Sequence, residues 1–215
     1  PVACEDAVEA GVVFNQVFVV DGDERGMALS ELVGVAPRVV TSDVFAKVAT
    51  TETPQSPVAV VHIPQSELKP GLAVMVLWGL ADPGNTGTLI RTAAAFGLQV
   101  LVVSGVDPWA PKCMRAAAGG HFRTSVVRVG ADEGGDLLTS WDWYAAVPRG
   151  GEDPAVLNDS DAPAIIVGSE AHGLPAAVID RSRTVSIPMV ESTESLNVAQ
   201  AGAMLMWEWR KTASR

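Results

Sequence analysis

The sequence predicts an α/β fold, a mostly parallel sheet with helices on both faces, preceded by a small α/β domain. Two observations carry the sheet. From Leu72 onward, short apolar runs alternate with helical segments at the spacing of β–α units. The first run, Leu72 to Trp78, is continuously apolar, as in a strand buried on both faces. A third observation separates the front of the chain. Residues 1–70 lack that regularity, and "IPQSELKPG", Ile63 to Gly71, has the Pro, Gly and polar content of a linker. The expected domains are therefore 1–70 and 71–215.

In chain order, the first domain reads as the end of a helix at Glu5–Ala10, a strand at Asn15–Val20 and a short strand at Val39–Val40. A helical turn at Asp43–Ala49, the loop "TTETPQSP" and a strand at Pro57–Ile63 complete it. In the second domain strands fit Leu72–Gly79, Gln99–Val103, Thr124–Val129, Trp143–Val147, Ala164–Val167 and Thr184–Ile187. Helices fit Thr86–Phe96, Ala110–Ala118, Leu174–Asp180 and Ser195–Lys211, with a weaker one near Asp136–Ser140. Asn85 or Thr86 would cap the first of these helices, and Gly97 would close it.

Composition narrows the class. The net charge of −10 argues against a protein that holds nucleic acid by bulk electrostatics. Residues 1–70 carry 10 acidic and 4 basic side chains. Between Asp107 and Asp132 there is no carboxylate, while Lys112, Arg115, Arg123 and Arg128 lie there. That strip is either a local basic surface or an ordinary solvated helix face. Cys4 and Cys113 give no disulfide framework, and His62, His121 and His172 are too scattered for a sequence-local metal site. The longest apolar run, Leu72 to Ala81, is too short to span a bilayer. The cysteine usage fits a reducing cytoplasm. His121 and Phe122 follow Gly119-Gly120, where core, turn or base-stacking roles are open.

The familiar nucleotide fingerprints are missing. The turn after the first strand of the sheet holds Gly84-Asn-Thr-Gly87, not G-x-G-x-x-G, and no Walker lysine follows. Polar residues instead interrupt three places that should be core. Arg91 falls in an apolar helix behind Asn85-x-Gly87. A buried-looking strand, Ile165-Ile-Val, ends in Gly168-Ser169-Glu170, and a glycine there would let a ligand approach the main chain. Glu170 would lie near a helix start. The third segment runs from Ile187-Pro-Met189 to Ser195-Leu-Asn197 at the head of the last helix, with Ser195 as its cap and Asn197 in its first turn.

In order, spacing and identity the three segments resemble the motifs of the SpoU (TrmH-type) ribose methyltransferases of the SPOUT superfamily. "ADPGNTGTLIRTAAAFG" matches the first motif, "IIVGSEAHGLP" the second and "IPMVESTESLNVAQAGAML" the third. The second motif often flanks its glutamate with Asn and Gly, where this chain has Ser169 and Ala171; a tight turn survives that change unless position 171 needs a positive φ. The match runs from about Leu72 to Arg210, and "TETPQSPVAV" is similar to the end of the small ribosomal-protein-like RNA-binding domain that often precedes it. The chain would begin inside that domain's first helix, with the leading segment missing.

The resemblance implies methyl transfer from S-adenosylmethionine to an RNA ribose 2′-hydroxyl, with ribosomal RNA ahead of transfer RNA, S-adenosylhomocysteine as product and no metal. It implies a C-terminal trefoil knot and a homodimer through the last helix, where Ala199, Ala201, Gly202 and Ala203 precede Trp207 and Trp209. Cofactor contacts would come from Gly168, Ile187, Met189 and Leu196. Arg91 would act at the ribose hydroxyl, as base or as electrostatic stabiliser, with Asn85, Glu170, Ser195 and Asn197 around it. Lys112, Arg115 and Arg123 would meet RNA. A catalytically silent RNA-binding relative and a base-directed methyltransferase of the same superfamily are the alternatives.

Overall fold

The computed structural model describes residues 2–49 and 53–213. By its internal contacts the chain divides into two compact units between Gln65 and Ser66. Of the expected Thr50–Pro57 loop, Thr50, Thr51 and Glu52 lie outside the described residues.

The first unit runs α1 (Val2–Glu9), β1 (Phe14–Val20), α2 (Glu24–Val33), β2 (Pro37–Val40), α3 (Ser42–Val48) and β3 (Val58–Val61). Its sheet has the order β2-β1-β3, with β2 parallel and β3 antiparallel to the central strand. Val17 and Val19 of β1 are fully buried, with Phe14, Leu29 and Phe45 beside them. The sequence reading omits α2. Its caps are sound: Asp23 accepts from the Gly26 amide at 3.1 Å, and Gly34 closes the helix with φ +69°. Gly26 inside it weakens the helical pattern, yet a Cβ there would lie 2.5 Å from a Val19 methyl. The glycine lets α2 settle on β1.

The second unit contains β4 (Val74–Trp78), α4 (Pro83–Phe96), β5 (Gln99–Val103), α5 (Pro111–Ala117), β6 (Val126–Val129), α6 (Gly134–Leu137) and β7 (Asp142–Ala146). It continues through β8 (Pro163–Gly168), α7 (Ala176–Arg181), β9 (Arg183–Val185) and α8 (Val198–Ala213). Six strands in the order β6-β5-β4-β8-β7-β9 pair in parallel throughout. Met75 and Leu77 face a core with Leu89, Ile90, Leu205, Met206 and Trp209, on the α4 and α8 side. Val74 and Val76 face a second core with Leu138, Trp141, Trp143, Leu174 and Val178, on the α6 and α7 side. Burial on both faces is why β4 reads as an unbroken apolar run.

The segment after Gln65 is more than a linker. Buried Gln99 accepts from the Lys69 amide at 2.6 Å and donates to the Lys69 and Leu72 carbonyls at 3.0 and 3.2 Å. Leu68 packs against the second core.

Two helix starts differ from expectation. α4 begins at Pro83, with Asp82 as its cap; the Asp82 carboxylate accepts from the Asn85 amide at 2.7 Å. Proline at the first helical position forfeits no bond, so Pro83 starts the helix instead of delaying it. The Asn85 amide, with Lys112 nearby, holds the Asp82 carboxyl below the usual aspartate range. Gly97 closes α4 with φ +77°, as expected. α8 begins at Val198, three residues beyond the predicted Ser195.

α4 lies close to both neighbouring helices. A Cβ at Gly87 would sit 2.4 Å from the Cys113 carbonyl oxygen and 2.6 Å from the Ala116 Cβ of α5, and one at Gly202 of α8 would sit 2.5 Å from a Leu89 methyl. Gly87→Ala is expected to cost about 1–2 kcal/mol, since overpacking at about 1–3 outweighs the helical gain of about 0.5–1. Urea denaturation checks this; an unchanged or raised midpoint would show that α5 moves aside freely.

Candidate active site

The strand order reverses at β4. From there β5 and β6 extend the sheet one way, while β8, β7 and β9 lie on the other side. A crevice at the carboxyl ends beside such a reversal is where parallel sheets bind ligands. A cavity of about 450 Å³ opens at the ends of β7, β8 and β9. Val147, Val167, Ile187, Leu196 and Leu205 give it apolar walls, and Gly168 to Glu170, where β8 ends and its turn begins, form its rim. Gly168, Ile187, Met189 and Leu196, the four predicted cofactor residues, all line it.

The turn after β8 explains Gly168 differently from the sequence reading. Ser169 and Gly173 exchange main-chain bonds at 3.1 and 2.9 Å, so the chain doubles back. A Cβ at Gly168 would lie 2.4–2.6 Å from the backbone of Gly173 and Leu174. The close approach is by the chain itself. Gly173 supplies the positive φ of this turn, +66°, and Ala171 is not among the positive-φ residues. The Ser169 and Ala171 substitutions therefore leave the turn intact, and the Ser169 Oγ accepts from the His172 amide at 3.1 Å.

That turn presents Glu170 to the head of α4, not to α7, which starts six residues later. Asn85 Nδ2 donates to Glu170 Oε1 at 2.9 Å, and the Ala81 amide points at Oε2 from 3.5 Å. Asn197 Nδ2 donates in turn to Asn85 Oδ1 at 3.1 Å. Asn197 Oδ1 accepts from the Ala199 and Gln200 amides at 2.9 and 3.2 Å, so Asn197 caps α8. Ser195, the expected cap, lies two residues too early and lines the cavity instead. Asn85, Glu170 and Asn197 also line a shallow depression with Ala81 and Asp82, and Glu170 and Asn197 border both hollows.

Arg91 stands apart. Leu89, Ile90 and Ala93 turn inward from α4, and Arg91 emerges on the exposed face with Thr88 and Ala95. The impression of an arginine in an apolar helix comes from neighbours in sequence, not in space. Among the described residues nothing bonds its guanidinium, and neither hollow includes it. Its backbone is pinned: a Cβ at Gly120 would lie 3.0 Å from the Arg91 Cα. Next to Gly120, His121 is 3 % exposed and packs on Trp109 at 4.8 Å. Burial pushes its imidazole below the usual histidine range. Nε2 lies 2.7 Å from the Pro108 carbonyl, which can only accept, so Nε2 carries the proton. His121 is a core residue and offers no face to a base.

Lys112, Arg115 and Arg123 are exposed on and after α5. Lys112 lies 3.7 Å from the Asp82 carboxylate. Among the described residues no group of three or more His, Cys, Asp or Glu could hold a metal, and no helix is long and apolar enough to cross a membrane.

Fold and site together define an α/β protein with a small-molecule cavity beside a polar hollow at the carboxyl edge of a parallel sheet. The profile of the SpoU rRNA Methylase family matches residues 73–207, and the chain belongs to that family. A Bacillus subtilis 23S rRNA (guanosine(2553)-2′-O)-methyltransferase is 32% identical over 96% of this chain and 84% of its own length. A Streptomyces azureus 23S rRNA (adenosine(1067)-2′-O)-methyltransferase is 28% identical over 90% of this chain and 77% of its own. In fold, the chain superimposes on the SpoU methyltransferase AviRb of Streptomyces viridochromogenes, solved with AdoMet, at a TM-score of 0.89. That match is 24% identical and covers 98% of this chain and 87% of that one.

The Asn85–Asn197 bond can be tested apart from the cap. Asn197→Ala is expected to cost about 1 kcal/mol, whereas Asn197→Asp keeps the cap acceptor and should match the parent within about 0.5. Aspartate cannot donate to Asn85, so the Asn85 side-chain amide resonances should shift in both variants. Resonances unmoved in Asn197→Asp would mean that the two asparagines do not bond in solution.

Proposed function

We propose that the protein transfers a methyl group from S-adenosylmethionine to a ribose 2′-hydroxyl of RNA, with ribosomal RNA preferred over transfer RNA. The observation that carries this reading is the junction of hollows: an apolar cavity flanked by the hydrogen-bonded Asn85, Glu170 and Asn197. At about 450 Å³ the cavity suits a cofactor of nucleoside size, within the roughly 300–1,000 Å³ of small-molecule sites. Its aliphatic walls suit an adenine, and the bare main chain at Gly168, Ile187 and Leu196 supplies donors and acceptors without a glycine-rich fingerprint. When bound, the cofactor supplies an electrophilic methyl on a sulfonium.

The chain's own contribution is placement. Asn85, Glu170 and Asn197 hold the heads of α4 and α8 together where the ribose would lie, and Ser195 faces the cofactor. Glu170 has one oxygen engaged by Asn85 at 2.9 Å and the other held only by the long 3.5 Å contact from the Ala81 amide. Arg91 serves as a forked donor to the adjacent phosphate and to the developing alkoxide, because a guanidinium offers donors and no acceptor and is a poor base. Lys112, Arg115 and Arg123 add a basic margin on an otherwise acidic protein. Residues 1–70 form the RNA-binding domain and 71–215 the catalytic domain, whose C-terminal part is tied as a trefoil knot. The protein works in the cytoplasm.

It works as a homodimer through α8. Gly202 and Trp209 of that helix are spent on the core, but Met204 and Trp207 are 49 % and 57 % exposed, with the Trp207 ring 6.0 Å from Phe96. Light scattering at micromolar concentration should give twice the 22.4 kDa chain mass; a clean monomer would remove the dimer from this reading.

The deciding experiment incubates the protein with methyl-labelled S-adenosylmethionine and unmodified ribosomal or transfer RNA transcripts, then digests to nucleosides. Label is expected in a 2′-O-methylnucleoside of ribosomal RNA; label on a base would overturn the ribose reading. Arg91→Lys should lose about a hundredfold or more in kcat, as when one preorganised donor is removed, while calorimetry shows cofactor binding within about twofold. Near-full activity in a folded Arg91→Lys would rule out the forked-donor role.

A further inference from the structure

No helix or strand spans residues 186–197, yet this segment carries Ile187, Met189, Ser195 and Leu196 to the cavity. Its midpoint is a turn in which the Thr193 amide donates to the Val190 carbonyl at 3.1 Å. Val190 is 69 % exposed, and Glu191 and Ser192 are exposed as well. Apolar packing therefore does little to hold the turn down. What grips it comes from the opposite wall. From the last residue of β7 the chain runs along the cavity as Ala146, Val147 and Pro148, and the next residue is Arg149. Arg149 Nη2 donates to the main-chain carbonyls of Val190 at 3.2 Å, Glu191 at 3.2 Å and Thr193 at 2.7 Å.

We propose that Arg149 is a positioning residue, a latch that holds the 190–193 turn over the cavity and so sets how long S-adenosylmethionine stays bound. The proposal rests on the cofactor reading given above. Three carbonyl dipoles converging on one cation make a charge-assisted contact, stronger than the same bonds from a neutral donor. The two sides of the latch flank the cavity wall directly: Pro148 precedes the guanidinium, and Met189 and Ser195 bracket the gripped turn. Opening it would part the walls without breaking a strand pairing, because β9 ends at Val185. Arg149 itself does not line the cavity, so it acts on the ligand only through the turn.

Hydrogen exchange in the free protein and calorimetric titration with S-adenosylhomocysteine test this together. Arg149→Ala should speed amide exchange in 190–197 by about tenfold or more, with β4 and β8 unchanged, and raise Kd about tenfold. With saturating S-adenosylmethionine, kcat should stay within about twofold, since no group at the reacting atoms is removed. Arg149→Lys, whose ammonium keeps the charge and carries three donors where Nη2 has two, should recover part of both effects. Parental exchange and Kd in Arg149→Ala would overturn the latch. So would faster exchange across the whole sheet with a lowered unfolding midpoint, which marks a general structural role. A parent protein that binds no S-adenosylhomocysteine would overturn the cofactor reading first and this proposal with it, before any variant is compared.

Discussion

The close approach of α4 to its neighbours is the constraint on which the carboxyl edge of the sheet depends. Gly87 admits the Cys113 carbonyl of α5 and Gly202 admits Leu89 into α8, so three helices share one layer on the face of the sheet that carries Met75, Val100 and Ile165, with little room to slide. That fixes the head of α4 in depth and rotation. Asn85 can then reach Glu170, which is 85 residues away in sequence, and Asn197, which is 112 away. A shift of about 1 Å would break bonds of 2.9 and 3.1 Å, because hydrogen bonds weaken steeply with distance and angle. The backbone packing thus comes first, and the polar contacts read it out.

The polar contacts also close caps that the helices would otherwise leave open. Asp82 satisfies the Asn85 amide, and Asn197 satisfies two amides of α8 while its other side-chain atom turns to Asn85. Each helix end is stabilised by a residue that faces the hollow. Such economy ties the helix heads together without burying charge: Glu170 stays exposed, and so does Arg91 farther along α4. A hollow built this way avoids the desolvation cost of a buried ion pair.

Much of this was legible because it follows from period and punctuation. The β4 run, the glycine at position 97 and the parallel alternation after Leu72 each have a local cause in sequence. The failures have local causes too. Pro83-Gly84 resembles a break, but proline suits a first helical turn, so the cap moved to Asp82. Ser195 and Asn197 both have capping side chains, and only the path of the chain decides between them. α2 hid because Gly26, placed for its fit against Val19, dilutes the helical pattern. Arg149 left no signal at all: its partners are main-chain carbonyls, which every residue carries.

The acidity of the protein is consistent with this arrangement. Among the described residues no lysine or arginine lines the cavity; Arg149 lies just beyond its wall, and Arg91 and the cations on and after α5 stand farther out on the surface. Under the proposed reading, attraction to a polyanion would act mainly close to such exposed cations, since charges beyond about 8 Å are screened in physiological salt. On that reading the favoured orientation would be the one that brings phosphate to Arg91. An acidic body with a narrow basic margin is thus a physical route to selectivity, in which repulsion elsewhere does as much as attraction at the hollow.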